Sequence, residues 1–202
     1  MAASLRTSRP GKGPASPSGW AYLIALGSNQ RHHRHGAPRA ILAAAIEAMR
    51  VAGLCVEAVA RVIQSVPVGP SWRRYANGAV LLRTHLLPTQ LLAVLQQIES
   101  DFGRRRARRW GTRVLDLDIV LWEGGCWRSG GARFGFLQVP HPAFRQRGFV
   151  LGPAMAIAPL WRDPATGFTL RQLHSRLTRR AHALRGAHPG SGRDPCGPVG
   201  GP

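Results

Sequence analysis

Apolar and polar positions along the chain follow a strand-like period first and a helix-like period next. The apolar run WAYLIAL at residues 20–26 ends in Gly27-Ser28-Asn29, a pattern that predicts a buried strand entering a turn. Residues 39–51 are rich in alanine and carry apolar residues at helical spacing, which predicts a helix. The chain therefore opens with a strand followed by a helix.

The next segments extend this order and predict the fold class. Further strands are predicted at residues 54–64, 76–84 and 114–122, and a second helix at residues 88–102, with proline in its first turn. The order β-α-β-β-α-β is typical of a ferredoxin-like α+β sandwich, in which two helices cover one face of an antiparallel sheet. We expect the other face of the sheet to be free for a site.

Length and composition predict one domain with two tails. At 202 residues and 44% hydrophobic content, the chain can bury a single core, which we assign to residues 20–180. Short helical additions are expected at 151–157 and 169–177. Residues 1–19 are basic and rich in Ser, Pro and Gly, which favours a disordered extension over an organelle transit peptide. Residues 181–202 are expected to be a disordered tail.

The charge of the chain predicts anionic partners without identifying them. The formal net charge is +19, and Lys12 is the only lysine, so arginine supplies almost all of it. Nucleic acid, a membrane surface and a phosphorylated small molecule all fit this balance, although most of the arginines are expected to be solvated surface. No apolar run reaches the roughly 18 residues that cross a bilayer. The three cysteines have no paired spacing, which favours a reducing, cytoplasmic setting.

Two of the nine acidic residues lie within the apolar strand VLDLDIV. Because side chains alternate along a strand, Asp116 and Asp118 should emerge on one face. Such a pair suits a magnesium ion or, equally well when taken alone, neighbouring arginines. The preceding segment 103–113 holds six arginines, and an anion cradle beside a metal site is what polyphosphate transfer requires. The surroundings therefore favour magnesium.

Six ordered blocks give the chain a specific family resemblance. They are AYLIALGSN, SVPVGP, YANGAV, IESDFGRRR, RWGTRVLDLDIVLW and VPHPAFRQRGFVLGPAMAIAP. Through them, residues 21–177 resemble the 6-hydroxymethyl-7,8-dihydropterin pyrophosphokinases. The resemblance implies a ferredoxin-like fold and transfer of the terminal diphosphate of ATP to a pterin alcohol in folate biosynthesis. The chain departs from the family at Thr112, where proline is usual, and in QRHHRHGAPRA, whose histidines we do not expect to bind a metal specifically.

The resemblance also implies roles for individual residues. Asp116 and Asp118 would bind two magnesium ions, and Arg104 and Arg113 would join them as catalytic residues that steer the transferred diphosphate. The residues implied on the ATP side are Gln96, Glu99, Arg104, Trp110, Arg113, His141 and Arg147. On the pterin side, Tyr75 and Phe149 would sandwich the ring, Asn77 would read its polar edge, and Ser65 and Val68 would line the pocket.

The implied partners are ATP and the pterin alcohol, with no nucleic acid and no membrane, and a monomer is expected. The main alternative from another class is a small basic RNA-binding module on a ferredoxin-like sheet. That alternative predicts aromatic residues on the central strands, whereas the sequence has paired acids there. An inactive relative that only binds a partner is a third alternative, and nothing in the motifs favours it.

Overall fold

The protein is described by a computed structural model that covers residues 19–65, 74–103, 114–130 and 136–186, with the backbone alone for 181–186. The strands are β1 Trp20–Ser28, β2 Cys55–Val59, β3 Ile63–Ser65, β4 Tyr75–Thr84, β5 Asp116–Trp122, β6 Trp127–Ser129 and β7 Leu137–Val139. The helices are α1 Pro38–Val51, α2 Pro88–Asp101, α3 Gly148–Ile157 and α4 Leu170–Gly186, and a 3-10 turn spans Phe144–Gln146. The mixed α/β class that we predicted is confirmed.

An antiparallel sheet organises the molecule, as expected. Its strands lie in the order β2-β4-β1-β5, and β3 also pairs with β4. The single strand predicted at 54–64 is wrong, because the chain forms two short strands that pair with different parts of β4. A bulge in β2 at Glu57 and the residues between Val59 and Ile63 separate the two pairings. The β6–β7 hairpin was not predicted and contacts β5.

One face of the sheet packs against α1 and α2 and forms the first core. Proline stands in the first turn of each helix, where its missing N–H has no helical partner to lose. After α1, Gly53 adopts a φ of +81°, a conformation that suits glycine at a helix end. The buried residues of the first core include Tyr22, Ile24, Leu26, Leu42, Met49, Val80, Leu82, Leu91, Leu95, Leu117 and Ile119.

The opposite face is covered in part, so the expectation of a free face is wrong. Here α3 packs on the sheet, α4 packs on α3, and both helices contribute side chains to the second core. Its buried residues are Leu23, Ala25, Ala60, Ala79, Val120, Leu121, Phe144, Val150, Leu151, Ala154, Leu170 and Leu173. α3 begins before the predicted residue 151 because Phe149 and Val150 pack in this core, and α4 is also longer than predicted.

α4 continues to Gly186, beyond the boundary expected at residue 180. Among the described residues, no helix combines the length and the apolar character that spanning a bilayer requires. The predicted extension 1–19 lies outside the described residues apart from Gly19, and so does the chain after Gly186.

Candidate active site

The two aspartates of β5 emerge together on the sheet face that carries the second core. Asp116 and Asp118 are half-buried, whereas Leu117 and Ile119 between and after them are buried in the first core. This is the alternation that the sequence predicted. The carboxylates therefore lie on the same side of one strand, two residues apart.

A floor of small residues lies beside these carboxylates. In the register of the sheet, Gly27 of β1 pairs with Asn77 of β4 on one side and with Asp116 on the other. In the next row on this face, Ala25 lies between Ala79 and the second aspartate. A Cβ built on Gly27 would lie 3.8 Å from Asn77 Oδ1 and 3.9 Å from Asp116 Cβ. The central strand thus leaves a shallow space between an amide and two carboxylates.

Three residues predicted on the pterin side lie together at the β4 edge of this floor. Asn77 is buried, with 4% of its surface exposed, and its Nδ2 donates to Ser65 Oγ at 2.8 Å. The same Nδ2 lies 3.5 Å from the carbonyl oxygen of Tyr75, which pairs with Ser65 across β3 and β4. These bonds fix the orientation of the amide, and its Oδ1 lies on the Gly27 side.

His141 and the β5 carboxylates are close enough to influence each other. The backbone N–H of His141 donates to the Val120 carbonyl at 3.0 Å, and Nδ1 accepts from Ala143 N at 3.2 Å. Burial lowers the pKa of His141, and Arg147 acts in the same direction, whereas the negative charges of the two aspartates oppose this shift. The imidazole, the guanidinium and both carboxylates therefore share one electrostatic environment.

Arg147 and Phe149 stand at the beginning of α3. Arg147 is the N-cap residue, and its guanidinium carbon lies 5.9 Å from the centre of the Phe149 ring. Phe149 is half-buried against the second core, and α3 contacts β3, β4 and β1. One residue predicted for ATP and one predicted for the pterin thus lie together at the start of the helix that packs on the sheet.

Glu99 has an unexpected environment for a nucleotide contact. It is 1% exposed on α2, and its Oε1 accepts a 2.8 Å hydrogen bond from the N–H of Leu117, between the two aspartates. The bond ties α2 to the edge strand that bears the carboxylates. Gln96, one turn earlier on α2, is exposed and makes no hydrogen bond to another described site residue. This contact of Glu99 was not predicted.

Part of the predicted site lies outside the described residues. This applies to Val68 on the pterin side and to Arg104, Trp110 and Arg113 on the ATP side. Their roles stay predictions.

The histidines of the β1–α1 loop pack against the end of α2. The His35 ring stacks on Phe102 with ring centres 4.6 Å apart, and His32 stacks on His35 at 4.9 Å. Burial lowers the pKa of His32, and the charges of His33, His35 and Arg34 act in the same direction. This packing gives the histidines a structural use that the sequence did not indicate.

Sequence reasoning missed the residues that shape the site without carrying charge. We expected Gly27 to open a turn, but β1 extends through Ser28, and the place of Gly27 between Asn77 and Asp116 follows only from the sheet register. The hydrogen bond from Asn77 to Ser65 was also not predicted. The position of Gly27 and the bond from Asn77 to Ser65 could have been predicted only by assuming the order of the strands in the sheet.

The donor set fits magnesium. Within the described ranges, no group of three or more His, Cys, Asp or Glu side chains could hold a metal ion. Asp116 and Asp118 supply a pair of carboxylates on one face of β5. Magnesium in phosphoryl-transfer sites is commonly held by one or two carboxylates, with substrate phosphates and water completing its coordination. Two half-buried carboxylates beside an open floor match that pattern.

Comparison with known proteins identifies relatives of this chain. It is 44% identical over 123 residues to 2-amino-4-hydroxy-6-hydroxymethyldihydropteridine pyrophosphokinase of Synechocystis, covering 61% of this chain and 60% of the relative. The Pseudomonas aeruginosa protein of the same name is 39% identical over 143 residues, covering 70% of this chain and 82% of the relative.

Solved structures show the same fold. A crystal structure of Plasmodium falciparum HPPK-DHPS superposes with a TM-score of 0.66 at 11% identity, covering 83% of this chain and 46% of the other. This chain therefore spans less than half of that larger protein. The family model for 7,8-dihydro-6-hydroxymethylpterin-pyrophosphokinase matches residues 23–159, and this chain belongs to that family.

Proposed function

We propose that this protein transfers the terminal diphosphate of ATP to 6-hydroxymethyl-7,8-dihydropterin, giving the pterin diphosphate and AMP, in folate biosynthesis. One observation carries the proposal beyond family membership. The paired carboxylates of β5 and the amide of Asn77 face the same floor from opposite sides of Gly27. A phosphate-side group and a pterin-side group thus flank one space, which a reaction between two substrates requires.

The ATP side is assigned to the carboxylate edge of the floor. The carboxylates of Asp116 and Asp118 would hold two magnesium ions, which would supply positive charge beside the phosphates of ATP. His141 lies within electrostatic reach of both aspartates and of Arg147, which supports placing His141 and Arg147 against the phosphates. The further residues assigned to this side are Gln96, Glu99, Arg104, Trp110 and Arg113.

The pterin side is assigned to the β4 edge of the floor. Tyr75 and Phe149 hold the two faces of the flat ring, an arrangement that suits offset stacking. Asn77, oriented by its hydrogen bond to Ser65, recognises the polar edge of the ring. Val68 completes the lining of the pocket.

In the proposed reaction, the hydroxymethyl oxygen of the pterin forms a bond to the β-phosphorus of ATP. The bond from that phosphorus to the oxygen bridging the α-phosphate breaks, and AMP leaves with that oxygen. Asp118 or solvent accepts the alcohol proton. Catalysis rests on alignment and charge neutralisation, because no covalent enzyme intermediate is needed. Arg104 and Arg113 steer the transferred diphosphate, since bidentate guanidinium groups suit its oxygens.

Finer features of the protein are part of the same proposal. The strand order β2-β4-β1-β5 supports a ferredoxin-like arrangement of the segment from β1 to β5. We further propose that residues 20–180 form the pyrophosphokinase domain. The protein is proposed to be a cytoplasmic monomer with no nucleic-acid partner. The RNA-binding alternative requires aromatic rings on the central strands, and the floor carries Gly27, Ala25 and Ala79 instead.

A product assay tests the proposal. The purified chain is incubated with ATP, magnesium and the pterin alcohol, and AMP and pterin diphosphate are quantified by chromatography. We expect equal amounts of both products, and neither in samples that contain EDTA or lack the pterin. Release of ADP in place of AMP, or RNA binding without AMP release, would overturn it.

A further inference from the structure

The turn between His141 and Arg147 takes part in a buried ion pair. Arg145 lies within the 3-10 turn Phe144–Gln146, and its guanidinium contacts Asp163 in two places. Nε donates to Oδ2 at 2.7 Å and Nη2 donates to Oδ1 at 2.6 Å. The Asp163 side chain is 0% exposed and that of Arg145 is 27% exposed. This bidentate geometry fixes the direction of the arginine as well as its position.

Both oxygens of the Asp163 carboxylate accept further hydrogen bonds. Thr166 Oγ1 donates to Oδ2 at 2.5 Å, and the N–H of Ala165 donates to Oδ1 at 3.2 Å. Burial alone would raise the pKa of Asp163, but the hydrogen bonds from Arg145, Thr166 and Ala165 outweigh it and hold the pKa below its ordinary value. The group is therefore charged and bonded on both oxygens.

The loop that carries Asp163 is itself firmly held. The Asp163 N–H donates to the Phe168 carbonyl at 2.9 Å, and its carbonyl accepts from Gly167 N at 2.8 Å. At the start of α4, Leu170 N donates to the Trp161 carbonyl at 2.9 Å. Asp163 thus presents its carboxylate from a rigid support.

The turn on the other side of the ion pair has weaker internal support. Its backbone hydrogen bonds run from Phe144 N to His141 O, from Gln146 N to Ala143 O and from Arg147 N to Phe144 O, and each is 3.2 Å long. The fully buried Phe144 ring anchors the middle of the turn in the second core. The residues at its two ends, His141 and Arg147, share their electrostatic environment with the β5 aspartates.

We propose that Asp163 is a positioning residue, which acts through Arg145 to hold His141 and Arg147 in place for the phosphates of ATP. This inference rests on the proposed function of those two residues. Burying a charged carboxylate this completely costs free energy of desolvation. The bonds of Asp163 to Arg145 place this negative charge against the turn and not against a substrate. Asp163 therefore sets the geometry of the phosphate side from outside it.

Asp163→Asn tests the proposal by removing the charge while keeping the shape. ATP dissociation constants are measured by calorimetry without pterin, and pterin dissociation constants without ATP, well below the melting temperature. We expect ATP affinity to fall about tenfold and pterin affinity to change less than about twofold, because small displacements of positioning groups weaken only the contacts they set. Arg145→Lys, which keeps the charge, should retain more ATP affinity than Arg145→Met.

Glu57→Gln is the matched control, because Glu57 also accepts a 2.7 Å hydrogen bond from an arginine, Arg83, but at a distant strand edge. It should leave both affinities unchanged. If Asp163→Asn does not fold, Thr166→Ala, which removes one bond to Asp163, should weaken ATP binding in the same direction.

Earlier melting of these variants with normal ATP affinity would overturn the positioning role. An inactive wild-type chain that still binds ATP in an Asp163-dependent way would instead overturn the proposed function alone.

Discussion

The two faces of the central sheet differ most clearly at two neighbouring glycines. Gly78 of β4 pairs with Leu26 and faces the first core, where an added Cβ would meet Val62 and Leu42 side chains at 3.8 and 3.9 Å. Gly27 of β1 faces the other way, where an added Cβ would meet Asn77 Oδ1 and Asp116 Cβ. One glycine fits a packed apolar layer, and the other keeps space open between polar groups.

This contrast shows how the fold divides its tasks. Buried apolar side chains from β1, β4, β5 and β7 and from helices α1 and α2 fill the first core, which contributes stability through burial. On the second face, α3 covers one part of the sheet with α4 packed against it, and small residues beside polar ones form the other part. The contrast predicts that changes on the first face affect melting, whereas changes at the floor affect binding and turnover.

The largest effect is expected from the carboxylates of β5. Asp116→Asn and Asp118→Asn each keep the shape of the side chain but remove a negative charge that we assign to magnesium binding. Turnover should fall by several powers of ten, because charge stabilisation dominates phosphoryl transfer. Melting temperature should change little. Both quantities are measured on the same preparations, with AMP release followed over a range of magnesium concentrations.

Asp101→Asn is the control for these variants. Asp101 lies at the end of α2, and its carboxylate accepts a hydrogen bond from Gln97. The substitution is the same but lies off the floor, so AMP release should stay near that of the wild type. Variants of the β5 aspartates that melt far earlier and yet turn over normally at low temperature would contradict the magnesium assignment.

The two glycines provide the next test. Gly27→Val places methyl groups in the open space of the floor, and kcat/KM should fall about a hundredfold, because misplacement of reacting groups has effects of that order. Gly78→Val instead overfills the first core and should cost about 1 to 3 kcal/mol of stability.

Steady-state assays at low temperature and thermal melts on both variants separate the two outcomes. We expect activity loss without a large drop in melting temperature for Gly27→Val, and the reverse for Gly78→Val. Equal effects of the two substitutions on activity would refute the division between the faces.

A smaller effect is expected from the proposed pterin clamp. Phe149→Ala removes one aromatic face, and stacked aromatic pairs contribute about 0.5 to 1.5 kcal/mol beyond burial, which corresponds to roughly a tenfold change in affinity at most. Calorimetry should show weaker pterin binding with near-normal ATP binding. Phe168→Ala is the control, because Phe168 also packs on the second core but contacts Arg176 outside the site. Equal weakening of both ligands would contradict the assignment of Phe149.

The sequence predicted those features that depend on local periodicity. The helices α1 and α2, the strands β1, β4 and β5, and the shared face of Asp116 and Asp118 all follow from spacing that repeats within one element. The break between β2 and β3 could not be predicted from the sequence, because it depends on how each segment pairs with β4. The same limit applies to Gly27, whose importance comes from its two neighbours in the sheet.

Long-range pairing limits prediction at charged residues too. Asp163 and Arg145 are 18 positions apart, and no motif links them, so only the folded chain reveals their contact. Glu99 was assigned to ATP by resemblance, and its bond to Leu117 N depends on the docking of α2 against β5. Charged residues in a sequence are candidates for a functional site, whereas the packing of the folded chain determines which partner each of them contacts.

The smallest predicted effect is a pH dependence of stability. It concerns the buried carboxylate of Asp163 and not the carboxylates of Asp116 and Asp118 at the floor. The hydrogen bonds to Asp163 hold its pKa below the ordinary value of about 3.9, so the folded state favours the charged form more than the unfolded state does. The resulting stabilisation is complete above the unfolded pKa. It is lost as the pH falls through the lower, folded pKa, because both states then bind the proton.

Melting curves of the wild type and Asp163→Asn between pH 7 and pH 2.5 test this sign. The asparagine variant has no carboxylate to titrate at this position, so the difference in melting temperature isolates the one group. We expect the wild type to melt higher by a constant margin above about pH 5 and the margin to shrink progressively below about pH 4. A margin that stays constant down to pH 2.5 would mean that the charge of Asp163 contributes nothing, and that its hydrogen-bonding shape alone holds Arg145. A margin that grows on acidification would require the opposite sign of the pKa shift, with burial outweighing the bonds from Arg145 and Thr166.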